Sequence, residues 1–429
     1  MSRFLAAFVA IGLMTSGAQA FCGFYVARAD GKLFNEASKV VFVRHKKRSV
    51  ITMASDYRGA AKDFAMIVPT PTVLRRDQIK TVKPATIDHL DAYSAPRLVG
   101  YHDPDPCNPA VYAEPVIVEE AADCRLCKQT APARRQGARA LGVKVQARYA
   151  VGAYDIVMLS AQQSDGLTTW LTQEGYQLPE GAAPVLGKYI KQGMKFFVAR
   201  VNLARHKAGE SQDLKPLQIR FISDKFMLPL QLGKLNADQK QDVLIMTLTK
   251  SGRVEAANYR NARIPTDTNI PTFVRDVFGQ FYRDSFARAA KKNTVLTEYA
   301  WDMGWCDPCA ADPLSRKELT ELGINWLWDA SKKGPIQDVF VTRLHFQYDK
   351  KSFAKDLELK VTTDNANFQG RYVMNTPFEG DLSCKEGKSY LADLKKRLRR
   401  EGATLRKLTG WPKGEIDQRI RQSLPDGYY

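Results

Sequence analysis

Two Cys-x-x-Cys pairs are the residues whose type and spacing could do chemistry: Cys124-Arg125-Leu126-Cys127 and Cys306-Asp307-Pro308-Cys309. A dithiol at this spacing can exchange disulfides through one activated thiolate. It can supply half of a tetrahedral zinc site, or it can close into a structural staple. The second pair ends the stretch Leu296 to Cys309, LTEYAWDMGWCDPC, which also holds two tryptophans. Cys22, Cys107 and Cys384 complete the set of seven, and an odd number leaves at least one thiol free or bonded elsewhere.

Trp305-Cys306-Asp307-Pro308-Cys309 is similar to the thioredoxin active site W-C-G-P-C, with Asp in place of Gly. The approach Val295 to Tyr299 resembles that family's strand. In thioredoxins the first cysteine opens a helix, whose N-terminal amides and dipole make the thiolate available. Here the helix signals begin only at Asp312-Pro313 or Ser315, which places Cys306 in a loop. A zinc site would have to unite two pairs far apart in the chain. Disulfide staples within or between the pairs are therefore the expectation, and no metal or cofactor is implied. Exchange with Cys306 as nucleophile and Cys309 as resolving thiol is the alternative. The metallopeptidase H-E-x-x-H, the G-x-S-x-G elbow, the P-loop and the G-x-G-x-x-G turn are all absent. His102, Asp103 and Asp105 alternate with prolines and read as a turn before a cation site. His45 reads as solvated in a basic hairpin tip. His345, on the more polar face of a strand, reads as a solvated or hydrogen-bonded histidine rather than a catalytic one.

The elements that must position these residues begin with a leader. Arg3, the apolar run Phe4 to Met14 and Ala18-Gln19-Ala20 form a secretory signal peptide over 1–20, too short to span a bilayer. Phe21 before Cys22 excludes a lipoprotein signal. No later stretch reaches the roughly eighteen apolar residues of a spanning helix. The mature chain is expected to be soluble and periplasmic or secreted, where cysteines oxidise. Lys and Arg number 64 against 46 Asp and Glu, a net charge of +18. Outside the cytoplasm that charge points to an anionic envelope surface or polymer as partner rather than to nucleic acid.

Residues 21–107 read as a β-rich unit, with Val40 to Val43 and Ser49 to Met53 as a hairpin around Arg44 to Arg48 and a short helix Thr86 to Tyr93. Residues 108–142 read as a connector holding the first Cys-x-x-Cys. Residues 143–378 read as an α+β core. In it, strands at 143–149, 154–159 and 195–201 enclose helices at 167–174 and 183–192. Further strands follow at 216–222, 227–232 and 242–248, with Lys250 to Gly252 as a turn. A helix over 272–290 carries Val274, Val277, Phe278 and Phe281 at helical spacing. Ser315 and Glu318 form a capping box and Gly323 a C-cap. Alternation predicts a strand over Phe340 to Tyr348. The tail 379–429 is basic and helical: from Lys385 onward it has 12 Lys or Arg and 6 Asp or Glu. Its Leu391, Leu394, Leu398 and Leu405 stripe fits a helix docked on the body better than one lying in a membrane.

Cys22 to Val26, Leu90 to Leu98, Asp103 to Cys107, Trp305 to Cys309 and Phe368 to Tyr372 together resemble an uncharacterised family of exported bacterial proteins, domain of unknown function 2330. The resemblance implies export and one shared architecture, and it carries no activity or catalytic residue. The chain thus reads as an α+β protein with mixed and antiparallel sheets, packed helices and disulfide staples. Its expected role is non-enzymatic, binding or envelope-associated, with thiol–disulfide exchange as the alternative.

Overall fold

A computed structural model describes residues 24–27, 34–58, 63–108, 142–202, 215–237, 240–307, 311–327, 336, 338–424 and 428. The expected signal peptide over 1–20, Cys22, the Cys124–Cys127 pair and Cys309 lie outside these residues.

Strand β1 (Phe24–Ala27) precedes the long hairpin of β2 (Phe34–His45) and β3 (Arg48–Arg58). Val40 to Val43 and Val50 to Met53 are buried on both faces, as unbroken β-prone runs in a central strand should be. The hairpin turns on Lys46, which takes a left-handed φ of 53°. Its tip is narrower than the sequence suggests. Arg44 turns inward, and its guanidinium donates to the Ser49 hydroxyl at 2.6 Å and to the Ser223 carbonyl at 3.0 Å. His45 is half-buried rather than solvated, with its ring centroid 5.1 Å from that of Trp326. Next come β4 (Asp63–Thr70), β5 (Ile79–Thr81), α1 (Pro84–Ser94), opened by a proline in its first turn, and β6 (Arg97–His102).

The middle of the chain follows the expected order: β7 (Val143–Val151), β8 (Tyr154–Ala161), α2 (Ser164–Gln173), α3 (Ala182–Lys191) and β9 (Lys195–Asn202). It continues through β10 (Leu217–Ile222), β11 (Met227–Leu228), β12 (Gln241–Thr249), β13 (Val254–Ala256), β14 (Arg260–Arg263) and β15 (Thr268–Asn269). The strand expected over 227–232 stops after Leu228, and a 3-10 turn follows at Gly233–Asn236. Beyond Pro271 a 3-10 turn, Thr272–Val277, runs into α4 (Phe278–Ala289). Then come β16 (Thr294–Asp302), α5 (Arg316–Leu322), β17 (Phe340–Tyr348), β18 (Leu357–Val361), β19 (Phe368–Gln369), β20 (Arg371–Thr376), α6 (Lys385–Thr409) and α7 (Lys413–Gln422).

Two large sheets form face to face. One has the order β1-β4-β9-β8-β7, and the other runs β14-β16-β17-β12-β2-β3-β10-β5 with β19 beside β16. Strands from 24–107 and from 143–378 therefore interleave in both sheets. Most neighbours are antiparallel, but β2 pairs β12 in parallel, which gives a mixed sheet. Val40, Phe42, Ile245 and Leu344 from the larger sheet meet Met66, Phe197 and Ala199 from the smaller. The outer face of the larger sheet is covered by α1 and α5 through Ile87, Leu90, Leu319 and Leu322. The outer face of the smaller is covered by α2 and α3 through Leu167, Trp170 and Leu186. The result is a four-layer stack of helix, sheet, sheet and helix, an α+β fold.

The tail is docked on the body. Leu394, Leu398 and Leu405 of α6 pack with Phe281 of α4 and with Trp411, Ile416 and Ile420. Each such side chain contributes roughly 1.5–3 kcal/mol by burial, so the apolar face of α6 is committed to the protein. Gly410 ends the helix at φ 79°.

Candidate functional site

The thiol loop is built by β16 and its exit. Asp302 ends the strand and folds the chain back, accepting from the Gly304 amide at 2.9 Å. The Trp301 indole donates to the Trp305 carbonyl at 3.1 Å. Asp307 accepts from the Tyr299 hydroxyl at 3.1 Å and from the Gln369 amide at 2.8 Å. The residue that departs from the thioredoxin pattern is thus the anchor of the loop. Cys306 beside it is exposed and forms no disulfide with another described cysteine, and Trp305 is 70% exposed. The next helix is α5, capped by Ser315 and Glu318 as their spacing predicts and stopped by Gly323 at φ 104°. Among the described residues no helix terminus meets Cys306, as one does in thioredoxin-type sites.

The disulfide within the described residues joins Cys107 to Cys384, with Cα atoms 6.0 Å apart. Neither cysteine belongs to a Cys-x-x-Cys pair. The bond pins the start of α6 to the segment after β6. Beside it the Asp103 carboxylate receives both terminal nitrogens of Arg397 at 2.7 Å and the Tyr390 hydroxyl at 2.6 Å. Asp105 accepts from the Cys107 amide at 2.8 Å. The Asp-Pro-Asp-Pro-Cys stretch is a turn that clasps α6. Among the described residues no three Asp, Glu, His or Cys side chains converge as metal ligands would.

A buried ionic centre lies where α1 and α4 meet the larger sheet. Glu298 is inaccessible to solvent. It accepts from Nε of Arg343 at 2.6 Å, from Nδ1 of His345 at 2.6 Å and from the Tyr282 hydroxyl. Nε2 of His345 donates to Asp242 at 3.0 Å, and the imidazole stacks on Phe286. Arg343 also reaches Asp91, whose other oxygen takes Lys39 at 2.6 Å. Burial pushes the Glu298 carboxyl up, but His345 and Arg343 outweigh it and hold it at about 2. Burial pushes His345 down, and Glu298 and Asp242 reverse that, raising it to about 9. His345 is therefore a charged, fully partnered histidine. Its side chain and that of Arg343 are only 7% exposed. The strand pattern places Arg343 and His345 together on one face. It does not reveal Glu298, which is the extra residue of a β-bulge where β16 shifts register against β17.

The third feature is the solvent face of α6. From Lys395 to Lys407, Lys395, Lys396, Arg399, Arg400, Arg406 and Lys407 are exposed, and the one acid of that stretch, Glu401, is buried against the body. Glu401 is pushed up to about 7 by burial, which Arg397 only partly offsets. Lys396 pairs with Asp393 at 3.0 Å, an exposed contact worth little. The helix thus sorts its charges by face. A cationic ridge roughly 18 Å long, at 1.5 Å per residue, points away from the protein.

A family model described as an uncharacterized protein conserved in bacteria (DUF2330) matches residues 16–360. The match takes in the thiol loop, the ionic centre and Cys107, and ends before Phe368 to Tyr372, Cys384 and α6. No curated protein and no solved structure matches the chain.

Proposed function

The chain belongs to the DUF2330 family, whose description assigns no activity, and we propose that it is an exported, non-enzymatic protein that binds the anionic surface of the cell envelope through α6. The cationic ridge carries this reading. Six exposed cations on one helix face, with Glu401 turned inward and only Asp393 exposed beside them, form a field that an anionic surface relieves. The apolar face of α6 is occupied by Phe281 and Trp411, so contact is made by charge and not by insertion. The leader-like N-terminus of the sequence and the Cys107–Cys384 bond support an oxidising compartment outside the inner membrane. Among the described residues no helix is long and apolar enough to cross a membrane.

A basic residue close to an anionic bilayer contributes about 1 kcal/mol, so the ridge suffices for reversible attachment. Cosedimentation with phosphatidylglycerol vesicles tests it. Binding at low salt, absent with phosphatidylcholine and lost in Arg399→Glu/Arg400→Glu, is the expected result. Equal binding by wild type and that variant removes the reading. Binding only to an acidic wall polymer, and not to the vesicles, transfers the ridge to that partner.

A further inference from the structure

A second cationic feature lies away from α6, on the larger sheet. The β2–β3 turn, the turn after β12 and the exposed end of β18 together line an open surface cavity of about 390 Å³. That volume is within the range of small-molecule sites. Lys46, Lys250 and Lys360 stand around it, each from a different one of these elements, and among the described residues no carboxylate lines it. Its apolar lining is Phe226, Leu359 and Val361, and Val361 is 44% exposed, one of the few large apolar side chains left open.

We propose that this cavity binds a phosphate monoester carrying a short apolar substituent. The three ammonium groups and the Ser251 hydroxyl match the separate oxygens of a phosphate dianion, and the apolar lining takes its substituent. The fold holds these cations together with only long, solvent-exposed ion pairs to Lys250 and Lys360. Lys250 has Asp338 only at 3.7 Å and Lys360 has Glu255 only at 3.8 Å, both outside the lining. Lys46 has no acidic partner among the described residues, and it occupies a left-handed turn position that a β-carbon disfavours. Arg44 forms an inner wall with its terminal nitrogens already committed to Ser49 and to the Ser223 and Asp224 carbonyls, so it acts chiefly through its charge. Thr249 is likewise spent, donating to the Gly252 carbonyl at 2.9 Å. His45 registers the local field: burial, then Lys46, Lys250 and Arg48, hold its imidazole below the ordinary value.

His45 supplies the readout, because only five histidines share the spectrum. The full mature protein is titrated with n-octyl phosphate and with inorganic phosphate, followed by calorimetry and by histidine NMR. A His45→Gln variant assigns the resonance. The expected result is saturable octyl phosphate binding, tighter than inorganic phosphate, with the His45 midpoint moved upward. Lys46→Ala/Lys360→Ala should weaken it by about tenfold or more. Arg399→Glu/Arg400→Glu should leave it unchanged, which separates this site from the ridge. No octyl phosphate binding at millimolar concentration overturns the proposal. So does binding that survives the double lysine substitution, or inorganic phosphate that binds as tightly. Vesicles of phosphatidylcholine with phosphatidic acid distinguish the source of the ligand. Binding that depends on Lys46 and Lys360 indicates a lipid headgroup, and binding indifferent to them, with octyl phosphate still dependent, indicates a free phosphoester.

Discussion

Replacing Glu298 by glutamine isolates the work of the buried carboxylate, because it keeps the shape of the side chain and removes its charge. The two oxygens each receive a charged N–H at 2.6 Å, from Arg343 and from His345. Glutamine has one acceptor where the carboxylate has two, so its NH2 must face one of these donors. One of the two donors would lose its acceptor, and both cations would keep only Asp91 and Asp242 as charged partners. Removing one member of a buried charge network costs about 3–5 kcal/mol. The pH dependence arises from the same atoms. His345 is raised from 6.5 to about 9, so its contribution is whole below pH 6.5 and is lost as pH rises through 9. A shift of that size corresponds to roughly 3 kcal/mol, counted once for the coupled pair. Glu298 is lowered from 4.5 to about 2, so its contribution is present above pH 4.5 and is lost as pH falls through 2. Urea unfolding followed by tryptophan fluorescence, at about pH 6 and about pH 9.5, reads both effects. Wild type should lose stability between the two pH values. Glu298→Gln should be weaker at the lower pH and close much of the gap at the higher, where His345 is neutral in either protein. A variant within about 0.5 kcal/mol of wild type at pH 6, with a flat wild-type profile, would refute the reasoning.

Three further outcomes follow from the fold. Cys384→Ser opens a loop whose ends are 277 residues apart, so the chain-entropy model gives a loss of up to about 5 kcal/mol, seen as a lower melting temperature; peptide mapping without reductant should recover the Cys107–Cys384 bond. Gly252→Ala places a β-carbon against the Thr362 carbonyl at a left-handed φ of 84°, and should cost at least the ~1–3 kcal/mol of such strain by thermal unfolding. If Cys306 and Cys309 pair, their potential should lie below about −300 mV in glutathione equilibration; a value between about −120 and −270 mV would instead favour the exchange reading.

Local structure was legible wherever a residue type has a local reason. Pro84 opens α1, Ser315 and Glu318 close a capping box, and Gly323 and Gly252 take positive φ, all at the positions their chemistry predicts. The alternation over Phe340 to Tyr348 also sorted Arg343 and His345 onto one face. The sequence does not encode in any short window what that face meets. Glu298 reaches it only through a bulge in β16, and Asp91 arrives on α1 from far upstream. Arg44 looked like part of a solvated basic tip because its acceptors, the Ser223 and Asp224 carbonyls, sit in a distant turn. The parallel pairing of β2 with β12 and the Cys107–Cys384 bond are non-local in the same sense. The ridge on α6 was half legible: the leucine stripe named the docked face, and the burial of Glu401 came only with the fold.

The most direct test of the ridge is the salt dependence of binding to phosphatidylglycerol vesicles. Exposed charges are screened over about 8 Å at physiological ionic strength, so affinity should fall steeply as salt rises. Arg399→Glu/Arg400→Glu should flatten and weaken that dependence. Affinity that is indifferent to salt, or a slope unchanged by the double substitution, would contradict the account.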